Sequence, residues 1–345
     1  MTGPSLSIKQ NRRATKIGCF SAWASPTLAT RGTQTRNVVR STIRLITSLK
    51  LGHRYSPVSS ASAPSRFHTF TPFVLLSAIT IYPVKSCRGI SLKSAAVDTL
   101  GFVGDRRFMI VAADGTPLTQ REEPRLALVE TALSTENLRL SSARFSAIEI
   151  PLTLADSPVR RVEVWSSKGL VAEDCGDLAH QWISDLLGGK FWLVRIGAAF
   201  RRLVKNTSLA APDLVSFADG FPFLTVSEAS LADLNSRLKE RAEPGLPMNR
   251  FRPNLVISEC DAYAEDTWER VKIGPVTFRA GGPCARCVIT TTDQLTGSRG
   301  KEPLRTLATY RRDLTDPGNV NFGQNLINED KSGVVTVGDP VEPSK

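Results

Sequence analysis

The sequence predicts a mostly β fold with helices (α+β), organised as two β-rich units behind a basic leader. Three observations carry this prediction. Short runs alternate apolar and polar residues with period two, turn residues punctuate them, and few stretches have helical spacing. The chain has 345 residues and is 41% hydrophobic, enough for two ordinary domains with real cores.

The leader spans residues 1–76. It holds 11 of the 44 basic residues and no Asp or Glu, and the first acid of the chain is Asp98. The remainder carries 33 basic against 33 acidic residues, so the body is neutral and the excess charge belongs to the leader. A nucleic-acid footprint belongs on a folded domain, which excludes nucleic acid as a partner. In "TRNVVRSTIRLITSLK", Arg36, Arg40 and Arg44 are four apart, with Val39, Ile43 and Ile46 on the adjoining side. A basic strip beside an apolar one, in a Ser/Thr/Arg-rich and acid-free context, points to mitochondrial import. A disordered tail stays open, as does a plastid or cytoplasmic location if the leader is used otherwise. A peripheral or N-terminal membrane association follows if the leader stays attached as an anchor. No run of 18 apolar residues exists, and "FTPFVLLSAITIY" is too short to span a bilayer.

The first unit covers 77–198. "AITIYPVKS" reads as a strand entering a turn, and "RRFMIVAADGTPLTQ" as a hairpin turning at Asp114-Gly115. Strands follow in "LRLSSA", "AIEIPLTL" and "RRVEVW", so this unit should close on itself as a small barrel. "DLAHQWISDLLGG" is an amphipathic helix stopped by Gly188-Gly189. The second unit covers 199–343. "SEASLADLNSRLKER" is a helix capped by Ser227, with Leu231, Leu234 and Leu238 on one face. "PNLVIS" and "WERVKIGPVTFRA" are strands, "PLRTLATYRRD" is a helix with Pro303 in its first turn, and "GVVTVGDPVE" closes as a strand. The two units should share one cleft.

Six cysteines without a secretory signal are not a disulfide framework. Cys87, Cys175 and Cys260 are isolated and read as buried or inert thiols. Cys284 and Cys287, in "GGPCARCVITTTD", are the exception. Structural zinc needs four ligands, and of the three histidines His53 and His68 lie in the leader and His180 far from the pair. A redox pair belongs at a helix N-terminus, whereas the β-branched run "VITTTD" resists helix. Zinc and a redox pair stay open but are disfavoured; the stronger readings are ordinary core thiols, or one thiolate holding a soft metal whose other ligands come from a cofactor. Scattered polar groups favour an anionic cofactor: Lys85 and Ser86 in "YPVKSCRG", Arg106 in "GDRRF", Arg252 and Asn254 in "NRFRPN", and Arg286 beside the thiols.

Six segments then occur in order: "IYPVKSCRGISL", "GFVGDRRFMIVAADGTPLTQREEPRLALV", "FPFLTVSEASLADLN", "NRFRPNLVISECDAYAEDTWE", "PCARCVITTTDQLTGSRGKEPLRTL" and "VGDPV". Together they resemble MOSC-domain proteins with an N-terminal MOSC β-barrel, and among these the mitochondrial amidoxime-reducing component and its bacterial homologues. The resemblance covers roughly 77 to 342 and implies a MOSC β-barrel domain followed by a MOSC domain. It also implies a molybdenum-molybdopterin cofactor whose metal takes one protein thiolate, here Cys287, and it leaves Cys284 without assigned chemistry. Lys85, Ser86 and Arg106 would contact the pterin or its phosphate from one side. Arg252, Asn254, Arg286 and the backbone at Asn325 would do so from the other, and Asp219 in "ADGFPF" would line the metal pocket. The chain departs from animal members at Gly220 and Ala285, where they carry hydroxyls, and at Asn325, where they carry an aromatic ring.

The implied activity is two-electron reduction of small N-hydroxylated compounds such as amidoximes and hydroxylamines. With no ferredoxin cysteine run and no GxGxxG opening a βαβ unit, electrons must come from a partner protein. The resemblance implies a b-type cytochrome with an NADH-linked flavin reductase, or a ferredoxin-like reductase in a bacterial setting. The alternative is a cofactor-binding or sulfur-carrier MOSC module working with a pyridoxal-phosphate desulfurase, with one of the two thiols as the carrier.

Overall fold

In the strand Leu75–Ile81 the buried residues are Leu76, Ile79 and Ile81, a spacing that period two alone does not give. A bulge between Leu76 and Ala78 inserts the extra residue and returns the apolar face to the core. The computed structural model describes residues 73–153, 155–204 and 212–344, which belong to one compact unit, Phe67–Lys345. The import signal expected in 1–76 lies outside the described residues except for its last four. Regular structure begins at Leu75, slightly before the Ser77 expected.

The fold is mostly β. An eight-stranded sheet runs in the order Val341–Ser344, Arg270–Ile273, Val276–Ala285, Asn321–Asn328, Phe223–Ser227, Leu255–Ser258, Leu75–Ile81, Ile90–Leu92. Its neighbours are antiparallel except Phe223–Ser227 with Leu255–Ser258, which are parallel and joined by the helix Glu228–Glu240. That helix starts as expected: the Ser227 side chain accepts from the Ser230 N–H at 3.0 Å, and Leu234 and Leu238 are buried. Two strands from the N-terminal half therefore complete the sheet of the C-terminal half.

The rest of the N-terminal half is barrel-like. A four-stranded sheet (Phe108–Val111, Trp192–Arg195, Ser167–Asp174, Val159–Val164) and a three-stranded one (Glu130–Leu133, Asn137–Ser141, Ile148–Pro151) wrap a core with the helix Asp177–Leu187. Among the described residues the two sheets share no hydrogen-bonded seam, so side chains rather than a continuous ladder close the unit. The helix ends at Gly188, which adopts φ 77° as a left-handed stop.

Several expectations change. The turn at Asp114-Gly115 forms, with Gly115 at φ 84°, and two backbone bonds join its arms, Ala112 N–H to Thr116 C=O and Leu118 N–H to Ile110 C=O (both 2.9 Å). The pairing ends in an isolated bridge at Pro117, a residue with no N–H to extend a ladder. Phe108–Val111 pairs instead with Trp192–Arg195. The helix expected over 303–313 is a single turn, Leu304–Leu307, beyond which Arg311 N–H bonds back to Leu307 and the chain bends away. "GVVTVGDPVE" forms two strands, Val334–Thr336 and Val341–Ser344, because Gly338 at φ 97° and Asp339 make a turn between them. Cys87 and Cys175 are buried, and burial pushes both thiols up to about 12; burial likewise raises Cys260 to about 11.

Candidate active site

The cleft is built by three backbone crossings. The turn after Leu75–Ile81 is laced to the following loop by Arg106 N–H to Tyr82 C=O (2.8 Å) and Lys85 N–H to Phe108 C=O (2.8 Å). Phe217 N–H then bonds Arg106 C=O at 3.1 Å, bringing in the segment that carries Asp219. Ser86, Arg106 and Arg252 all have φ between 46° and 70°. The left-handed region costs a side-chain-bearing residue roughly 1–2 kcal/mol, and strain of this kind concentrates at functional sites.

The resulting cleft holds about 790 Å³ of empty space, part of it open to solvent. It is lined by Lys85, Ser86 and Arg106 from the N-terminal half, and by Asp219, Arg252 and Asn254 from the C-terminal half. Arg286, Cys287 and Asn325 complete the set. All nine residues singled out in the sequence thus border one hollow, and Cys284, Ala285 and Gly220 border it too.

Their side chains are not equally free. The Lys85 ammonium bonds the Phe217 carbonyl at 2.8 Å and the Asp219 carboxylate. Burial lowers the Lys85 pKa, and Asp219 offsets part of that. Enclosure among protein atoms would raise the Asp219 carboxyl, although 54% of its side-chain surface is open to the cleft. The charges of Lys85 and Arg121, with bonds from Lys85 and Trp165, win and hold it well below the usual carboxylate range. Arg106 grips Asp105 and donates to Asn254 Oδ1 at 2.9 Å, while Asn254 Nδ2 donates to Thr80 C=O at 3.1 Å. Asn254 is therefore committed at both ends and orients Arg106. Asn325 Nδ2 donates to the carbonyls of Gly282 and Pro283 at the bulged strand edge.

Arg252 lies over the Tyr82 ring, 4.2 Å from its centroid, and burial lowers its pKa to about 10. Arg286 donates to Cys284 Sγ at 3.0 Å and to Phe251 C=O at 2.6 Å, and its Nε is buried without a partner. Among the described residues, neither arginine has a carboxylate within salt-bridge reach.

The thiol segment corrects one expectation. The β-branched run after Cys287 does turn: Val288–Thr291 is a 3₁₀ helix with Cys287 as its N-cap. The hydroxyls of Thr290 and Thr291 donate to the carbonyls of Cys287 (2.9 Å) and Val288 (2.8 Å), and these local bonds stabilise the tight turn. Cys284 and Cys287 are both free thiols, and no group of three or more His, Cys, Asp or Glu poised to hold a metal exists among the described residues.

Sequence reasoning missed Arg121, Trp165 and Arg202. Arg121 Nη2 donates to Cys287 Sγ at 3.2 Å and lies 3.6 Å from the Asp219 carboxylate. Its guanidinium rests on the Trp165 ring, 4.5 Å from the centroid, and Trp165 Nε1 donates to Asp219 at 3.3 Å. Arg202 is buried and gathers the carbonyls of Ser216, Ala218 and Asp219, aiming the segment that bears the carboxylate. Arg121 stands inside the long quoted motif "GTPLTQREEPRL", so attention to that segment could have found it. Trp165 carries a subtler signal, a bulky residue at a hairpin tip.

Comparison with known proteins agrees with the architecture. Residues 73–190 match the MOSC N-terminal beta barrel domain, and residues 212–342 match the MOSC domain. Mitochondrial amidoxime-reducing component 1 of Homo sapiens is 36% identical over 283 residues, covering 77% of this chain and 82% of the relative. Its Mus musculus counterpart is 38% identical over 283 residues, with 77% and 81% covered. The molybdenum cofactor sulfurase of Oryza sativa subsp. japonica is 35% identical over 290 residues, which is 79% of this chain but 34% of that protein. With its cleft assembled from both matched regions, the chain belongs to the MOSC-domain family of the mitochondrial amidoxime-reducing components.

Proposed function

We propose that the chain is a molybdenum-cofactor-dependent reductase of small N-hydroxylated compounds, amidoximes and hydroxylamines among them. The observation that carries this reading is the donor set at Cys287. Its sulfur borders a polar hollow in which, among the described residues, no group of three or more His, Cys, Asp or Glu stands poised to hold a metal, so the remaining ligands would come from the cofactor. The residues present fit such a group. Among the described residues, Arg252 and Arg286 are cations without carboxylate partners, Arg286 Nε is an orphaned donor, and a Cβ at Gly220 would meet nothing within 4 Å. An anionic pterin phosphate would satisfy what these groups lack.

In this reading Cys287 holds the metal, Arg252 and Arg286 hold the phosphate-bearing part, and Arg106 is pre-set by Asp105 and Asn254 at the same wall. The cofactor supplies two-electron oxygen-atom transfer when bound. Lys85 and Asp219 form a proton-holding pair open to the cleft. The carboxylate is ionised at neutral pH, and the buried ammonium beside it has a lowered affinity for its proton. Reduction of an N–OH group to N–H and water consumes two protons, and the exposed face of Asp219 is where they pass. Electrons come from a partner protein, a b-type cytochrome with a flavin reductase or a ferredoxin-like donor. The leader would direct the chain to mitochondria, as the names of its relatives suggest.

The test is elemental analysis of purified protein with a benzamidoxime reduction assay. We expect about one molybdenum per chain and reduction of the substrate. Cys287→Ser should lose both, whereas Cys284→Ser should retain both. A trapped persulfide without metal would instead establish the sulfur-carrier reading.

A further inference from the structure

Trp165 is in the wrong place for a tryptophan. The register Val164 to Ser167 leaves Trp165-Ser166 as a two-residue hairpin loop, and Trp165 has φ 55°. Loops of this kind take Gly or Asn where φ is positive. A bulky residue there is strained, and Trp165 recovers little by burial, since it is 54% exposed. Packing does not account for it. Its two directed contacts do: the indole N–H to Asp219 and the ring face under Arg121.

Arg121 is equally constrained. Arg299 bonds the carbonyls of Gln120 and Arg121, Gln120 bonds Ser86 C=O at 2.6 Å, and Gln120 and Gln294 exchange side-chain bonds. The loop bearing Arg121 is thereby tied to both sides of the cleft, and the guanidinium reaches sulfur and carboxylate together.

We propose that Trp165 and Arg121 are a positioning pair: the indole holds the guanidinium where it sets the Cys287 sulfur and the Asp219 carboxylate relative to each other. This rests on the reading of Cys287 as the metal-holding thiolate. A hydrogen bond to a ligating sulfur orients it and draws charge from it, so loss of the donor alters the metal's electronic environment as well as turnover. Trp165 acts through Arg121 and Asp219.

The experiment uses the cofactor-loaded full chain and the variants Trp165→Asn, Trp165→Phe, Arg121→Lys and Arg121→Met. The readouts are thermal midpoint, molybdenum content, the paramagnetic resonance signal of the half-reduced metal, and kcat and KM for benzamidoxime. Trp165→Asn relieves the strained turn, so its thermal midpoint should be unchanged or raised, while kcat falls about tenfold or more and the resonance signal shifts. KM should stay within about threefold of wild type. Trp165→Phe keeps a ring under Arg121 and should retain part of the activity. Arg121→Lys should likewise exceed Arg121→Met. Wild-type kcat and spectrum in Trp165→Asn and Arg121→Met would overturn the pair. So would a rise in KM alone, which marks a substrate wall, or activity losses that merely follow the thermal midpoint. A wild-type chain without molybdenum removes the functional reading and the pair with it; a loaded wild type with unaffected variants removes the pair alone.

Discussion

Lys85 and Asp219 stand 134 residues apart in the chain and meet through a short contact between a side chain 7% exposed and one 54% exposed. Asp219→Asn removes the negative charge beside the buried ammonium and leaves it only neutral acceptors such as the Phe217 carbonyl, so it should destabilise the fold at neutral pH. The sign of its pH dependence follows from the depressed Asp219 pKa. A carboxyl whose folded value lies below its unfolded value stabilises above the unfolded value and loses that contribution as pH falls. The stability gap between wild type and Asp219→Asn should therefore be constant near neutrality and shrink progressively below about pH 4, as urea denaturation across that range would reveal. Arg252 is the opposite case. Among the described residues it has no acid partner to strand, so Arg252→Met should leave the thermal midpoint nearly intact and weaken cofactor retention. Loss of charge-assisted bonds of roughly 1.5–3 kcal/mol corresponds to about 10- to 100-fold in that affinity, measurable as molybdenum lost on dialysis.

At the scale of elements, the helix Glu228–Glu240 begins at Ser227, whose N–H also donates to the fully buried Glu265 at 3.0 Å. Ser230 Oγ donates to the same carboxylate at 2.8 Å. Ser227→Ala should cost about 1 kcal/mol and lower the thermal midpoint by about 2–4 °C, without changing metal content. Helix starts of this kind were legible because a cap is a local pattern, as was the left-handed stop at Gly188. The helix at 303–313 was misread because its apolar positions answer to tertiary partners: Leu307 is buried against the neighbouring helix and strand, not along a long helical stripe of its own. The 3₁₀ turn after Cys287 was missed because propensity disfavours β-branched residues in helices, while the Thr290 and Thr291 hydroxyls supply local bonds that propensity omits.

For the whole molecule, the main sheet passes through both halves of the chain, since Leu75–Ile81 pairs with Leu255–Ser258. Neither half buries its share of that sheet alone. Co-expressed segments 73–204 and 212–344 should associate and co-purify, whereas 73–204 by itself should show no cooperative thermal transition by circular dichroism. The same crossing creates the cleft, with Lys85 and Arg106 on one side and Asp219, Arg252 and Cys287 on the other. The sequence by itself determined part of the strand set, the two capped helices, the inert isolated thiols and the family segments; strands such as Ser167–Asp174, Trp192–Arg195 and Asn321–Asn328 were not read from it. Each of these is written in local periodicity, capping chemistry or ordered motifs. Only the tertiary structure decided that nine scattered residues border one hollow, which arginines are already bound and which lack acids, and that Arg121 and Trp165 join them. Those outcomes depend on contacts between residues as much as 179 positions apart, and no local pattern encodes which distant side chain will neutralise a buried charge.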